Sequence, residues 1–373
     1  MNKRLITAAA VLAVAAMALT ACSTAATPAA TPKAAVKASN YDAATISALG
    51  GDANATYLDK LYQKAIAAGQ NTITVYGVTA TSSASLYAAF SLRYPGIAVN
   101  HVTIFGAELQ SRIASEQATS QYVADNVSVS GADAAYVTDN KFIAKTEVPA
   151  ASKLDKQYKV GDTLYGGNTY LYTVGYNSNL VKSADVPTTF KDLLLPKWKG
   201  KIGMISPAGG VSSFLSGALA HGKITEKWLT SFEATQPVMF ASERDMFTAL
   251  STGQLAMGLG NYVRGDAFLK VDSLPVKFVT DFADGVGDGV FYRGTVKNAP
   301  HPLASDLLVN WWLTPEAQTL IAAQGQPGLM PGSPAVPGQP ALADIKINHG
   351  PTFADLSAYM AKYTALFKKV FVN

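Results

Sequence analysis

The chain has 373 residues, of which 15% are charged, and its formal net charge at pH 7 is only +4. No run of Lys and Arg and no basic helix stands out, which excludes the basic surface that nucleic-acid binding requires. The single cysteine excludes both a disulfide framework and a thiolate metal site.

The first predicted element is an export signal. Lys3 and Arg4 precede an apolar run over residues 5–19, and no later apolar run approaches the roughly 20 residues of a membrane helix. Leu19-Thr20-Ala21-Cys22 closes the run and resembles a bacterial lipobox. The resemblance implies that residues 1–21 are a signal peptide and that Cys22 carries lipid at the cell membrane. The alternative is an ordinary secretory signal in which Cys22 has no role.

Residues 22–39 are rich in Ala, Thr and Pro and cannot bury a core, so we expect a flexible tether. Loss of Lys3 and Arg4 with the signal lowers the net charge from +4 to +2. The remaining chain of about 330 residues suits two lobes with a cleft between them.

Strands alternate with helices in the first part of the folded chain, which predicts a parallel sheet with helices on both faces. Ligands of such sheets lie beyond the carboxyl ends of the strands, here residues 77–83 and 128–131. The predicted elements are strand 73–76, helix 85–94, strand 97–102, helix 106–118 and strand 123–129.

After residue 170 the pattern predicts a second α/β lobe, followed by a return through residues 285–296. We assign residues 40–171 and 280–373 to lobe 1 and residues 172–279 to lobe 2. The predicted elements are strand 172–176, helix 190–195, strand 202–205, helix 208–220, helix 245–251, strands 256–259 and 276–280, a broken apolar helix 303–324, a Pro/Gly-rich stretch 327–340 and an amphipathic helix 353–371.

Four motifs carry a family resemblance. Val186-Pro187-Thr188-Thr189-Phe190-Lys191-Asp192-Leu193-Leu194 and Pro196-Lys197-Trp198-Lys199-Gly200-Lys201-Ile202 resemble a signature of the extracellular solute-binding proteins of ABC importers. Ala249-Leu250-Ser251-Thr252-Gly253-Gln254-Leu255-Ala256 and Leu313-Thr314-Pro315-Glu316-Ala317-Gln318 are similar to later segments of the same family. The likeness is to the branch that binds ferric ion, phosphonates, sugar phosphates, polyamines and thiamine. Trp198, Trp311 and Trp312 are expected to pack in the core.

The resemblance implies an α/β fold of the type II periplasmic-binding class, with two lobes joined by two crossover strands that act as a hinge. It also implies that the protein is not an enzyme, needs no cofactor and holds no metal of its own. The implied partners are a small anionic solute, a cognate permease and ATPase, and the membrane through the lipid anchor. We expect an exported monomer that binds no nucleic acid.

Three segments are candidates for solute binding, because free N–H groups and hydroxyls at helix starts favour anions. Arg264 adds a possible bidentate clamp. The candidate residues are Tyr76, Thr79, Thr81, Ser82 and Ser83 in the first segment, with Ser130 beside it, then Ala208, Gly209, Gly210 and Ser212, and finally Asn261, Tyr262 and Arg264.

Each candidate has a plainer interpretation. The hydroxyls can be ordinary helix N-caps, and Arg264 can be a solvated charge at a helix start. Tyr76, Tyr170 and Tyr292 can pack in the core or line the cleft. The loops at the predicted cleft contain mainly Ser, Thr, Gly and Arg, and Asp284 and Asp288 are the nearest acidic residues. This excess of donors over carboxylates favours an anionic solute.

Ferric members of the family supply a His, a Glu and two Tyr as ligands. This chain has Ala80, Ser130 and Val263 at three of those positions and keeps only Tyr262, so ferric binding in the usual manner is doubtful. A ferric binder with a synergistic anion remains the alternative. An exported hydrolase is a second alternative, although no nucleophile elbow or HExxH motif occurs. A sensor or adhesin of the same fold is a third.

Overall fold

The computed structural model describes residues 41–78, 83–206, 213–261, 274–350 and 355–372. The signal peptide, Cys22 and the tether lie outside these ranges. Within them, no helix has both the length and the apolar character of a membrane span.

The secondary structure alternates between helices and strands. The helices are α1 (Ala43–Ala48), α2 (Asp52–Ala67), α3 (Ala84–Arg93), α4 (Gly106–Thr119), α5 (Gly131–Asp139), α6 (Ser213–Ala220), α7 (Glu226–Glu233), α8 (Glu243–Ser251), α9 (Pro302–Trp312), α10 (Pro315–Ala323) and α11 (Leu356–Phe371). The strands are β1 (Thr72–Gly77), β2 (Ala98–Thr103), β3 (Asn126–Val129), β4 (Lys159–Val160), β5 (Leu164–Asn177), β6 (Ile202–Ile205), β7 (Val238–Phe240), β8 (Met257–Asn261), β9 (Val276–Phe278), β10 (Val286–Thr295) and β11 (Ile347–Asn348). Short 3-10 helices lie at Pro149–Ser152, Lys156–Tyr158, Ser183–Asp185, Asp192–Leu194, Pro196–Trp198 and Leu342–Asp344.

Two parallel half-sheets meet at a pair of long antiparallel strands. The strand order is β2-β1-β3-β10-β5-β8-β6-β7. The first half-sheet (β2, β1, β3) and the second half-sheet (β8, β6, β7) are each parallel, and β10 and β5 run antiparallel to their neighbours between them. The predicted two-lobed α/β fold with crossing strands is thereby confirmed.

Alternating side chains divide the first half-sheet between two cores. Ile73 and Val75 of β1 pack with helices α2, α3 and α9, whereas Tyr76 points to the opposite face, under α4 and α5. Trp311 and Trp312 are buried on the α9 side and Trp198 is buried in the second half-sheet's core, as predicted for packing residues.

Most of the helices and strands predicted from the sequence occur in the structure, but three of them differ in type or extent. Helix 190–195 is only a 3-10 turn over Asp192–Leu194, because Pro196 favours an extended conformation at Leu195 and ends the turn there. Strand 123–129 begins at residue 126. The strand predicted at 172–176 is the end of the much longer β5, whose first residues serve the other half-sheet.

The C-terminal helix α11 packs on the second half-sheet. Tyr363 and Phe367 are buried in the same core as Phe214 and Phe232, and Lys369 forms an ion pair with Glu226 of α7 at 2.6 Å. The helix also packs against α5, so it contacts elements of both predicted lobes, and its assignment to lobe 1 stays a prediction.

Removing a buried ring from α11 tests this packing. We expect Phe367→Ala to lower the free energy of unfolding by about 3–5 kcal/mol, because a fully buried phenyl ring leaves a cavity. Val372→Ala is the matched control, since Val372 is 55% exposed and its change should stay within about 0.5 kcal/mol. Urea unfolding of both variants measures the difference, and equal, small effects would show that α11 is not part of the core.

Candidate functional site

Two serines stand where helices begin at the carboxyl edge of the first half-sheet. Ser83 precedes α3, which follows β1, and Ser130 precedes α5, which follows β3. Because β1 and β3 are parallel, with Gly77 opposite Ser128, both strands end at the same edge. The geometry therefore brings Ser83, Ser128 and Ser130 to the edge where ligands of such sheets lie.

Neither serine at a helix start acts as a cap. The side chains of Ser83 and Ser130 make no capping hydrogen bond, and no described residue bonds either hydroxyl. Elsewhere the chain caps helices in the usual way: Thr225 accepts from the N–H of Trp228, and Ser242 from that of Asp245. The N-cap interpretation therefore does not account for Ser83 or Ser130.

A narrow cavity of about 20 Å³ opens at this edge. Ser83 and Ser128 line one side of it, and the crossing strands supply Asn168, Tyr170 and Arg293. Ser128 and Arg293 are directly opposite each other on β3 and β10, so their side chains share one face of the sheet.

Arg293 is a buried cation held between aromatic rings. Its side chain is 2% exposed, and its guanidinium carbon lies 3.5 Å from the centre of the Trp312 ring and 5.3 Å from that of Tyr87. A desolvated cation–π contact contributes about 2 kcal/mol, which offsets only part of the cost of burying the charge.

A short relay connects Arg293 to His101. The guanidinium donates from Nη2 to the Tyr87 hydroxyl at 3.0 Å, and that hydroxyl lies 3.2 Å from His101 Nδ1. Since the hydroxyl accepts from Arg293, its own hydrogen is available to Nδ1. Burial, reinforced by the charge of Arg293, lowers the pKa of His101 below its usual value.

Side-chain amides at the floor of the cavity bond one another. Asn168 accepts from Trp312 Nε1 at 3.4 Å and donates to Gln326 Oε1 at 2.6 Å, and Gln326 donates in turn to the Tyr170 hydroxyl at 3.4 Å. Each amide oxygen therefore accepts one hydrogen bond. The hydrogen of the Tyr170 hydroxyl has no acceptor among the described residues.

Tyr76 does not reach the cavity. Its ring is fully buried, and its hydroxyl donates to the Glu116 carboxylate, which also accepts from the N–H groups of Val123 and Ala124. Burial, followed by the hydrogen bond to Glu116, raises the pKa of Tyr76. This corrects the prediction for Tyr76, whose side chain belongs to the core under α4.

The two carboxylates that qualified the prediction of an anionic solute are both occupied. Asp284 accepts from the N–H of Phe190 at 2.8 Å. Asp288 lies 2.8 Å from His349 Nδ1 and accepts from the N–H of Gly350. The same hydrogen bond to Asp288 raises the pKa of His349. Within the described ranges, no three His, Cys, Asp or Glu side chains group closely enough to hold a metal ion.

Of the remaining predicted site residues, one lies within the described ranges. Asn261 ends β8, where its backbone pairs with Tyr172. The others lie outside the described residues: Thr79, Thr81, Ser82, Ala208, Gly209, Gly210, Ser212, Tyr262 and Arg264.

Sequence reasoning missed Arg293 and the amides of Asn168 and Gln326. The sequence contains one indication of Arg293: it is the only cation in residues 285–296, the segment predicted to lead the chain back from lobe 2 to lobe 1. The amides gave none, because their relation depends on how β5 and the segment after α10 meet.

Because Ser83 and Ser130 make no capping hydrogen bond and Thr225 and Ser242 do, alanine substitutions at the two pairs should differ in their effect on the free energy of unfolding. Ser83→Ala and Ser130→Ala should change the free energy of unfolding by less than about 0.5 kcal/mol, since no hydrogen bond is lost. The matched controls Thr225→Ala and Ser242→Ala each remove a cap and should cost about 0.5–2 kcal/mol. Urea unfolding of the four variants measures these changes. If Ser83→Ala lowered the free energy of unfolding as much as Ser242→Ala, Ser83 would be an ordinary N-cap.

The fold is shared with solved binding proteins. The iron-bound HitA from Pseudomonas aeruginosa is 22% identical, with a TM-score of 0.68 over 80% of this chain and 99% of that one. The substrate-binding protein of an ABC transporter from Agrobacterium tumefaciens is 15% identical, with a TM-score of 0.69 over 81% and 94%. Ferric iron-binding protein A from Mannheimia haemolytica, in an open conformation, is 17% identical, with a TM-score of 0.65 over 80% and 98%. At these identities the likeness concerns the fold.

No curated protein matches the chain in sequence. The family model for bacterial extracellular solute-binding proteins matches residues 85–348, which is more than half of the chain. Proteins of this family are exported, bind small solutes for the permease and ATPase of an ABC importer, and are not enzymes. The chain therefore belongs to the bacterial extracellular solute-binding proteins.

Proposed function

We propose that this solute-binding protein captures a small anionic organic solute, a phosphonate or a phosphorylated compound. One observation carries the proposal: the hydroxyls of Ser83, Ser128 and Ser130 at the carboxyl edge have no hydrogen-bond partner among the described residues. Hydroxyls that neither cap a helix nor bond a neighbour are available to donate to an oxyanion.

The surrounding charges favour the same sign of solute. Arg293 is the only charged side chain among the described residues lining the cavity, and Asp284 and Asp288 are engaged inside the protein. Thr79, Thr81, Ser82, the segment from Ala208 to Ser212, and Arg264 remain proposed solute contacts that would add hydroxyl, amide and guanidinium donors.

Ferric-ion binding is the second candidate, because several solved proteins of this fold bear ferric names. In this chain Tyr262 would be the metal's phenolate ligand, and a synergistic anion would fill the coordination sites that Ala80, Ser130 and Val263 do not supply. A phenolate bound to iron gives a visible charge-transfer band, which distinguishes the two candidates.

A thermal-shift panel separates the candidates. Inorganic phosphate or methylphosphonate should stabilise the purified protein by about 2.7 kcal/mol at about 100 times the dissociation constant, which raises the unfolding midpoint by several degrees. Ferric nitrilotriacetate should give no more stabilisation than nitrilotriacetate alone. Stabilisation by the ferric complex only, with a visible band that Tyr262→Phe abolishes, would overturn the proposal.

We also propose that the protein works as a monomer anchored to the cell membrane through lipid on Cys22. The support is the lipobox-like sequence before Cys22 and the position of this residue as the only cysteine. Two or more acyl chains hold a protein firmly at a membrane, whereas a single chain does not.

Detergent phase partitioning tests the anchor. The protein expressed with its own signal should enter the detergent phase, and Cys22→Ser should move it to the aqueous phase because the acylated thiol is lost. Ser23→Ala is the matched control and should not change the partition. Recovery of the unchanged protein in the aqueous phase would contradict the anchor.

A further inference from the structure

Arg293 is a buried cation with no carboxylate partner in the part of the chain that the structure describes. Its terminal nitrogens donate to neutral groups, Nη2 to the Tyr87 hydroxyl at 3.0 Å and Nη1 to Asn126 Oδ1 at 3.4 Å. No carboxylate of the described residues forms an ion pair with it, although its side chain is only 2% exposed. A buried charge of this kind is usually neutralised by a partner.

One edge of the guanidinium is left to bind something else. Trp312 covers one face of the group, and Tyr87 and Asn126 engage the two terminal nitrogens. The remaining nitrogen, Nε, is buried and has no hydrogen-bond partner among the described residues. Such an orphaned donor is rare in a folded protein and calls for an acceptor.

The cavity beside Arg293 is rich in hydrogen-bond donors. The hydroxyls of Ser83, Ser128 and Tyr170 line it, each with a hydrogen to give. The oxygens of Asn168 and Gln326, which also line it, already accept hydrogen bonds from Trp312 and Asn168. These donors and the buried charge of Arg293 favour a group that brings oxygens and negative charge.

The small size of the space favours a small group. A volume of about 20 Å³ holds roughly one water-sized group, so it admits one oxygen of a ligand while the rest of the ligand stays outside. A guanidinium binds the oxygens of carboxylates and of phosphonates, and the narrow space favours the smaller carboxylate over the bulkier tetrahedral group.

We propose that this cavity is a carboxylate subsite, in which Arg293 Nε and the hydroxyls of Ser128 and Tyr170 hold a carboxylate of the captured solute. The inference rests on the proposed function and narrows it: the solute is an organic anion that carries a carboxylate besides its phosphonate or phosphoryl group. The carboxylate supplies the counter-charge that the protein does not give Arg293.

Matched ligands and variants test the subsite. Calorimetric titration should show that the unmodified protein binds phosphonoacetate at least about tenfold tighter than ethylphosphonate, which lacks the carboxylate. Arg293→Lys removes the Nε–H edge, and Ser128→Val removes a donating hydroxyl and fills part of the cavity while keeping the guanidinium, so both should reduce this preference to within about twofold. Arg112→Gln, on the other side of the sheet, is the control and should keep it.

These outcomes separate the subsite from the proposed function. If both phosphonates bind and the preference is absent, or survives in both variants, the subsite is overturned while the proposed function stands. If neither phosphonate binds the unmodified protein, the proposed function fails, and the Arg293 Nε–H resonance then decides the subsite. Acetate, with chloride as the control salt, should shift that resonance downfield to saturation and raise the pKa of His101. A resonance that acetate does not move would overturn the subsite.

Discussion

The contact between Gly167 and Trp312 positions the candidate site. The register of β5 and β10 shifts by one residue here, since Phe291 pairs with Asn168 and Tyr292 with Gly166, which leaves Gly167 as the extra residue. A Cβ atom at Gly167 would lie 2.1 Å from Trp312 Cδ1. Only glycine allows the indole to approach the crossing strand this closely.

Several features of the site follow from that approach. Trp312 lies flat on the guanidinium of Arg293 and donates to Asn168, which orients the amide pair with Gln326. The tryptophan thus packs the scaffold and also forms a wall of the cavity. Scaffold and site are thus joined in one residue.

The edge is rich in donors because the acidic side chains near it bind the protein's own backbone N–H groups. Glu116 and Asp125 accept hydrogen bonds from backbone N–H groups of the first half-sheet, and Asp284 and Asp288 do so around the crossing strands. Carboxylates held in this way are not available to a solute. What faces the cavity is one guanidinium and a set of hydroxyls, and this combination favours oxyanions over cations.

The sequence predicted the fold well because its signals are local. Alternating strands and helices from β1 to β3 and the broken helix at Leu313 are visible in periodicity and in the motifs of the family. The helix predicted at 190–195 is a single 3-10 turn, because Pro196 favours an extended conformation at Leu195. Arg293, Asn168 and Gln326 are far apart in the chain, and only the pairing of β5 with β10 brings them together. Ser83 could be named from sequence, but whether its hydroxyl caps α3 depends on the backbone conformation at that residue.

The most direct test is a crystal structure of the purified protein grown with phosphonoacetate. The account predicts an oxyanion within hydrogen-bonding distance of the Ser83 or Ser130 hydroxyl, with the carboxylate against Arg293 Nε. Anion density remote from these serines, or a ferric ion on Tyr262 in protein supplied with iron, would contradict it.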